Sequence, residues 1–117
     1  MITILETKEK MIADPRNWVI HLMDFVDDFR FRKDLRAIEA PFERSHERFD
    51  ALLASTAEYL CRELGLQPPS WLTTIPAVRA PWFVSGLESL KAIAFVESPL
   101  PFRIRKIFVL ENFLNRA

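Results

Sequence analysis

From His46 to Leu64 (HERFDALLASTAEYLCREL) the side chains Phe49, Leu52, Leu53, Thr56, Ala57, Leu60 and Leu64 recur at three- and four-residue spacing, and Gly65 follows. At 3.6 residues per turn that spacing gathers them on one side of a helix, and a glycine just past the last periodic residue is a natural C-terminal stop. An apolar stripe of this length has to be covered, so the remainder of the chain must supply the faces that cover it.

Candidate faces are legible on both sides of it. In ADPRNWVIHLMDFVDDFRF, Asp14 is a suitable N-cap and Pro15 suits the first helical position, where a missing N–H is harmless. Trp18, Leu22, Phe25 and Phe29 then form a buried stripe, widened by Val19, Met23 and Val26. Ile4, Leu5, Met11 and Ile12 suggest a short helix upstream, and Arg32 to Pro41 reads as a turn or short helix. Gly65 to Phe83 is a connection with four prolines that also carries Trp71, Leu72, Trp82 and Phe83, so it should lie against the helices with its aromatics as plugs. Ser85 and Glu88 have capping-box spacing, and Leu87, Leu90, Ile93 and Ala94 give the following helix a buried side. Ser98-Pro99 ends that helix and can begin another. Beyond it the pattern is compatible with helix or strand, and the best reading is one or two helical turns followed by an extended Ile107-Phe108-Val109.

Size and charge narrow the class. A chain of 117 residues, half of them hydrophobic and only two of them glycine, reads as one ordered domain spanning residues 1–117, without a glycine-rich binding loop. Sixteen basic residues balance sixteen acidic ones, which argues against a protein whose main task is gripping phosphate backbones. The one cysteine, Cys61, has no internal disulfide partner. The start, MITILETKEKMIADPRN, has no secretory pattern, and no segment approaches the roughly 18 apolar residues of a membrane span. The expectation is a cytoplasmic protein.

Motifs for chemistry are sparse. His21, Asp24 and Asp28 share one face of the first long helix, which suggests a divalent-metal site for a metal-dependent enzyme; no matching second helix offers the remaining ligands, and a solvated stripe explains them as well. His46 and Cys61 contain the parts of a thiol nucleophile, but Cys61 sits mid-helix beside Leu60, the setting of a buried, inert thiol. No phosphate loop or dinucleotide fingerprint occurs, so neither a cofactor nor an enzymatic activity is expected.

The C-terminal stretch differs in kind. From Arg79 onward there are six basic and three acidic residues, and Phe102, Arg103, Arg105, Lys106 and Phe108 mix arginine with aromatics as protein interfaces do. No helix-turn-helix is evident beside them, so a nucleic-acid-binding accessory module is the weaker alternative and would bind in a salt-sensitive way. A segment that packs its apolar side on the core and hydrates its arginines has the same composition.

Pro81-Trp82-Phe83, then Leu87, Leu90 and Ala92, then Glu97-Ser98-Pro99, then Phe102-Arg103-x-Arg105-x-Ile107-Phe108-Val109 with Leu114 and Arg116-Ala117, resemble the helical domain that follows Xre-like DNA-binding modules in bacterial regulators encoded beside nucleotidyltransferase-like toxins of the abortive-infection type. The likeness covers about the last forty residues well and departs in two respects: no DNA-binding module stands in front, and Lys106 occupies a position where asparagine is expected. It implies a stand-alone regulatory domain. The resulting expectation is an all-α, single-domain bundle of four to six helices with a Pro/Trp-rich connection and a short irregular or extended C-terminal segment. Its role would be that of a non-enzymatic, antitoxin-like interaction protein whose partner protein, such as a nucleotidyltransferase-like toxin, meets Phe102, Arg103, Arg105, Lys106 and Phe108. The apolar content serves a homodimer as well as a thick core, so the oligomeric state stays open.

Overall fold

The computed structural model describes residues 1–115. The long periodic stretch forms a helix at Glu47–Leu64, flanked by helices at Ile4–Ala13 and Trp18–Arg32 before it and at Lys91–Glu97 and Leu100–Arg103 after it; in chain order these are α1 to α5, with the long helix as α3. Two-residue strands β1 (Trp82–Phe83) and β2 (Ile107–Phe108) complete the described residues, so the molecule is mostly helical, with one small parallel sheet.

Both ends of α3 are set locally. His46 Nδ1 accepts from the Phe49 N–H at 3.2 Å, and Gly65 takes the left-handed conformation (φ 69°) while its N–H reaches the Cys61 carbonyl. Its middle is buried on more sides than a single stripe would require: every residue from Phe49 to Ala57 is shielded. Ala51, Ala54 and Ser55 are small enough for neighbouring elements to close over that side, so α1 and α2 pack on one flank while α5 and the proline-rich connection pack on another.

One of those close approaches buries charge. Lys8 of α1 meets Asp50 of α3 at 2.8 Å, both side chains 5% exposed. Its ammonium also donates to the Glu43 carbonyl and lies 4.6 Å from the centre of the Phe42 ring. Asp50 Oδ2 accepts from the Ser45 and His46 N–H groups at 2.9 and 3.2 Å, so the carboxylate both orders the chain entering α3 and receives the lysine.

The start of α2 departs from expectation. Asp14 caps no backbone N–H there; Pro15–Asn17 form a 3₁₀ turn that leads into the helix, and the Asp14 carboxylate accepts from the Asn17 and His21 side chains instead. Leu22, Met23, Phe25, Val26 and Phe29 are buried as anticipated, whereas Trp18 is half-buried and Val19 is exposed. Arg32–Pro41 contains the anticipated short turn at Leu35–Ile38.

The proline-rich connection does lie on the helices. Leu72 is fully buried, the Trp71 indole N–H donates to the Ile38 carbonyl at 2.9 Å, and its ring meets Phe42 edge-on. Beyond it, the single helical turn of α5 gives way to the extended Ile107-Phe108, which pairs in parallel with β1, Trp82 opposite Ile107 and Phe83 opposite Phe108. The helix before α5 begins later than its capping box predicts. Gly86 at φ 71° makes a turn, a 3₁₀ turn follows at Glu88–Leu90, and α4 starts at Lys91. Only Ala94 of the anticipated side is buried; Leu90 is half-buried, and Leu87 and Ile93 are exposed. The reason is a narrow attachment: α4 is held by Phe95 against Phe108, which stacks on Phe83, and by Lys91 over the Phe83 ring.

Lys106 makes the turn into β2 at φ 62°, a left-handed conformation that costs an ordinary side chain roughly 1–2 kcal/mol and that asparagine adopts more readily. Its N–H and carbonyl are both used, to the Arg103 carbonyl and the Trp82 N–H. Lys106→Asn should therefore stabilise the fold by about 0.5–1 kcal/mol in urea unfolding. A neutral or destabilising result would show that the lysine side chain holds the turn.

Candidate functional site

The C-terminal segment divides its side chains between two environments. Phe102 and Phe108 are buried, Phe102 against Tyr59 and Phe113, and Phe108 between Phe83 and Phe95. Arg103 and Lys106 face solvent, as does the intervening Ile104 at 56% exposure. Arg105 is inside.

This is the principal correction to the sequence reading. The Arg105 guanidinium is 4% exposed and ion-paired to Glu58 of α3. Its Nε donates to the Ile75 carbonyl at 3.1 Å, Nη2 to the Leu72 carbonyl at 2.7 Å, and Nη1 approaches Ser55 Oγ and the Pro101 carbonyl at 3.3 and 3.4 Å. A planar fork of five donors suits such a cluster, and an ammonium could not reach all of these acceptors. Arg105 thus joins α3, the proline-rich connection and α5. Its guanidinium is engaged within the chain, and the rings of Phe102 and Phe108 pack inward.

Other residues of the C-terminal pattern are likewise engaged internally. Ser98 Oγ accepts from the Val109 N–H at 2.8 Å and lies within reach of the Ala94 and Val109 carbonyls. The Glu97 carboxylate accepts from the Glu111 N–H at 3.1 Å. Leu114 is buried, and its carbonyl accepts from Arg30, whose guanidinium also clamps Glu63 through two 2.9 Å bonds. Arg116 and Ala117 lie outside the described residues.

His21 Nε2 pairs with Asp14 at 2.9 Å, and Asp28 accepts from the Ile2 N–H at 2.8 Å and from Arg32 at 2.9 Å. These bonds hold the Asp14 and Asp28 carboxyls below the usual carboxylate range, through His21 and Asn17 for the first and chiefly through the Ile2 N–H for the second. Among the described residues, no three of His, Cys, Asp and Glu come together as a metal-binding group. His46 and Cys61 sit at opposite ends of α3, about 22 Å apart at 1.5 Å of rise per residue. Cys61 is fully buried, and burial, reinforced by the Glu58 charge, pushes its thiol up to about 11.

No family model, curated protein or solved structure matches the chain.

The surface offers two kinds of concavity. At the start of α3 an open cleft of about 440 Å³ is lined by the charged and polar Arg44, His46, Glu47, Asp50 and Arg79 together with Ile75, Pro76 and Ala77. Glu47 accepts there from the Arg79 N–H, and Asp50 and His46 take the N–H groups at the start of α3, so the cleft's acceptors are engaged by backbone groups. Alongside α5 the lining is different: Leu66, Pro68, Leu100, Pro101 and Ile104 form an apolar hollow of about 320 Å³ bordered by Glu58 and Arg62. Leu100 and Ile104 lie in the stretch whose apolar spacing fits helix and strand alike, and Arg62 carried no signal at all. Their common feature, exposure beside a buried arginine, depends on the fold.

Arg105→Ala should lower the unfolding free energy by about 3–5 kcal/mol, because it leaves the Glu58 charge and several carbonyls unpaired, and Arg105→Lys should recover only part of that loss. A stable Arg105→Ala protein would remove this account. The Cys61 thiol should resist a thiol probe at pH 8 in the folded state and react once unfolded in urea. Its folded value lies above the ordinary 9.0, so its contribution to stability is complete below that pH and is lost as pH rises from there toward 11. Rapid labelling under native conditions would contradict the burial.

Proposed function

We propose that this chain is a non-enzymatic interaction protein of the regulatory or antitoxin kind, binding a partner protein through the exposed side of its C-terminal segment. The observation that carries the reading is the division of labour within six residues. Phe102, Arg105 and Ile107 are buried and anchor the segment, while Arg103, Ile104 and Lys106 stand outward between them. Arg103 and Lys106 have no ion-pair partner among the described residues, so their charges remain available to an acidic surface. Cations presented by a rigid backbone lose less entropy on binding than cations on a mobile tail.

The resemblance to domains encoded beside nucleotidyltransferase-like toxins supplies the class of partner. The left-handed backbone at Lys106 supports that resemblance, because it gives a physical reason for asparagine at the same position. With Arg105 engaged inside, the segment offers fewer cations than phosphate-backbone binding ordinarily uses, which favours protein over nucleic acid. The reading is tested by co-purification with the product of the adjacent gene, comparing the natural chain with an Arg103→Glu, Lys106→Glu variant. Retention should fall at least tenfold, about 1.4 kcal/mol or more, with thermal unfolding unchanged. Unchanged retention removes the proposed surface.

A further inference from the structure

The exposed side of α5 continues into a trough. The hollow lined by Leu66, Pro68, Leu100 and Ile104 shares Ile104 and Glu58 with a second of about 290 Å³ that runs on past Pro76 and Ala77, so the two are lobes of one strip separated by Ile104. Leu100 and Ile104 are 54% and 56% exposed, large apolar side chains left in water on a rigid scaffold. A two-lobed open trough is the wrong shape for a compact small molecule, which binds in an enclosed pocket. It suits a segment of chain that inserts successive apolar side chains.

The charges along this strip are one-sided. Glu58 is the carboxylate of the trough, and its charge is neutralised internally by Arg105. Arg62, which lines the hollow and is exposed, has no ion pair among the described residues. The ion pair that locks the fold thus also neutralises the trough's carboxylate and leaves Arg62 as the uncompensated charge of its lining. An apolar trough with a cationic rim discriminates by charge as well as by shape, rejecting basic segments and accepting acidic ones.

We infer that the trough between the C-terminal half of α3 and α5 binds an acidic amphipathic segment of a partner protein, apolar side chains entering the lobes on either side of Ile104 and a carboxylate meeting Arg62. This deepens the proposed function and rests on its protein-binding reading, but it places the contact in residues outside the Arg103/Lys106 test.

The experiment is fluorescence anisotropy of the full chain with two labelled peptides, one bearing leucines at every third or fourth position with glutamates between, the other with lysines in place of the glutamates. The glutamate peptide should bind at least tenfold more tightly than the lysine peptide, and binding should fall at least tenfold in Ile104→Ser and in Arg62→Glu. Both substitutions are at exposed positions, and thermal unfolding checks that the fold is kept. Equal binding of the two peptides, or none of either, overturns the inference. So does sedimentation showing a dimer of the natural chain that Ile104→Ser dissociates, which gives the trough to a second copy, or displacement of the peptide by a single-stranded oligonucleotide. If Ile104→Ser and Arg62→Glu retain the adjacent gene's product while Arg103→Glu, Lys106→Glu loses it, the trough fails and the proposed function stands. If the glutamate peptide binds as described but that product is not retained, the trough stands and the proposed function fails.

Discussion

A buried guanidinium governs the C-terminal half of this protein. Taking a positive charge out of water is costly unless its donors are satisfied, and the fold satisfies Arg105 with groups from three separate places: Ser55 and Glu58 on α3, the Leu72 and Ile75 carbonyls of the proline-rich connection, and the Pro101 carbonyl of α5. The connection's backbone is neither continuous helix nor strand, so the Ile75 carbonyl is open to the guanidinium, and the Leu72 carbonyl accepts from it in addition to the Ile75 N–H. The arginine therefore stabilises a segment that lacks its own ladder of hydrogen bonds. The Arg105 carbonyl accepts from Val78 and the Lys106 carbonyl from Trp82, so placing the side chain also sets the register of the short parallel sheet.

The N-terminal half is organised by the crowding of α3. Its small residues let α1 and α2 approach on one flank while α5 and the connection approach on the other, and the helix ends up buried over most of its middle. The Lys8–Asp50 pair is the charged counterpart of Arg105 at the start of α3, again with one partner drawn from α3 and with backbone groups completing its hydrogen bonds. Two buried charged clusters are thus anchored on one helix, at Asp50 and at Glu58. The outward face of α5 then becomes a fixed surface, a property that recognition by preorganised contacts requires.

The residues that give the C-terminal pattern its resemblance acquire a structural meaning. Trp82 and Phe83 pair with Ile107 and Phe108, Ser98 bonds Val109, and Arg105 binds the core. Such a pattern is first a signature of how the chain closes on itself. The exposed positions between these residues are where a partner would be read, and there spacing alone has little to say.

The sequence by itself determined the elements whose causes are local. α3 runs between His46 and Gly65 because a side-chain cap and a left-handed glycine act within one turn of their positions, whereas the extended Ile107-Phe108, in a stretch whose spacing fits helix and strand alike, pairs with β1 from elsewhere in the chain. Only tertiary structure decided which charges and which apolar residues face water. Arg105 and Arg103 are indistinguishable in the sequence pattern, yet one finds acceptors 30 to 50 residues away and is buried while the other finds none. Likewise, Leu87 and Ile93 have helical spacing but meet no covering face, because α4 is held by only a few aromatic contacts. Burial is a property of partners brought from elsewhere in the chain, and a local pattern can state only that a residue would accept them.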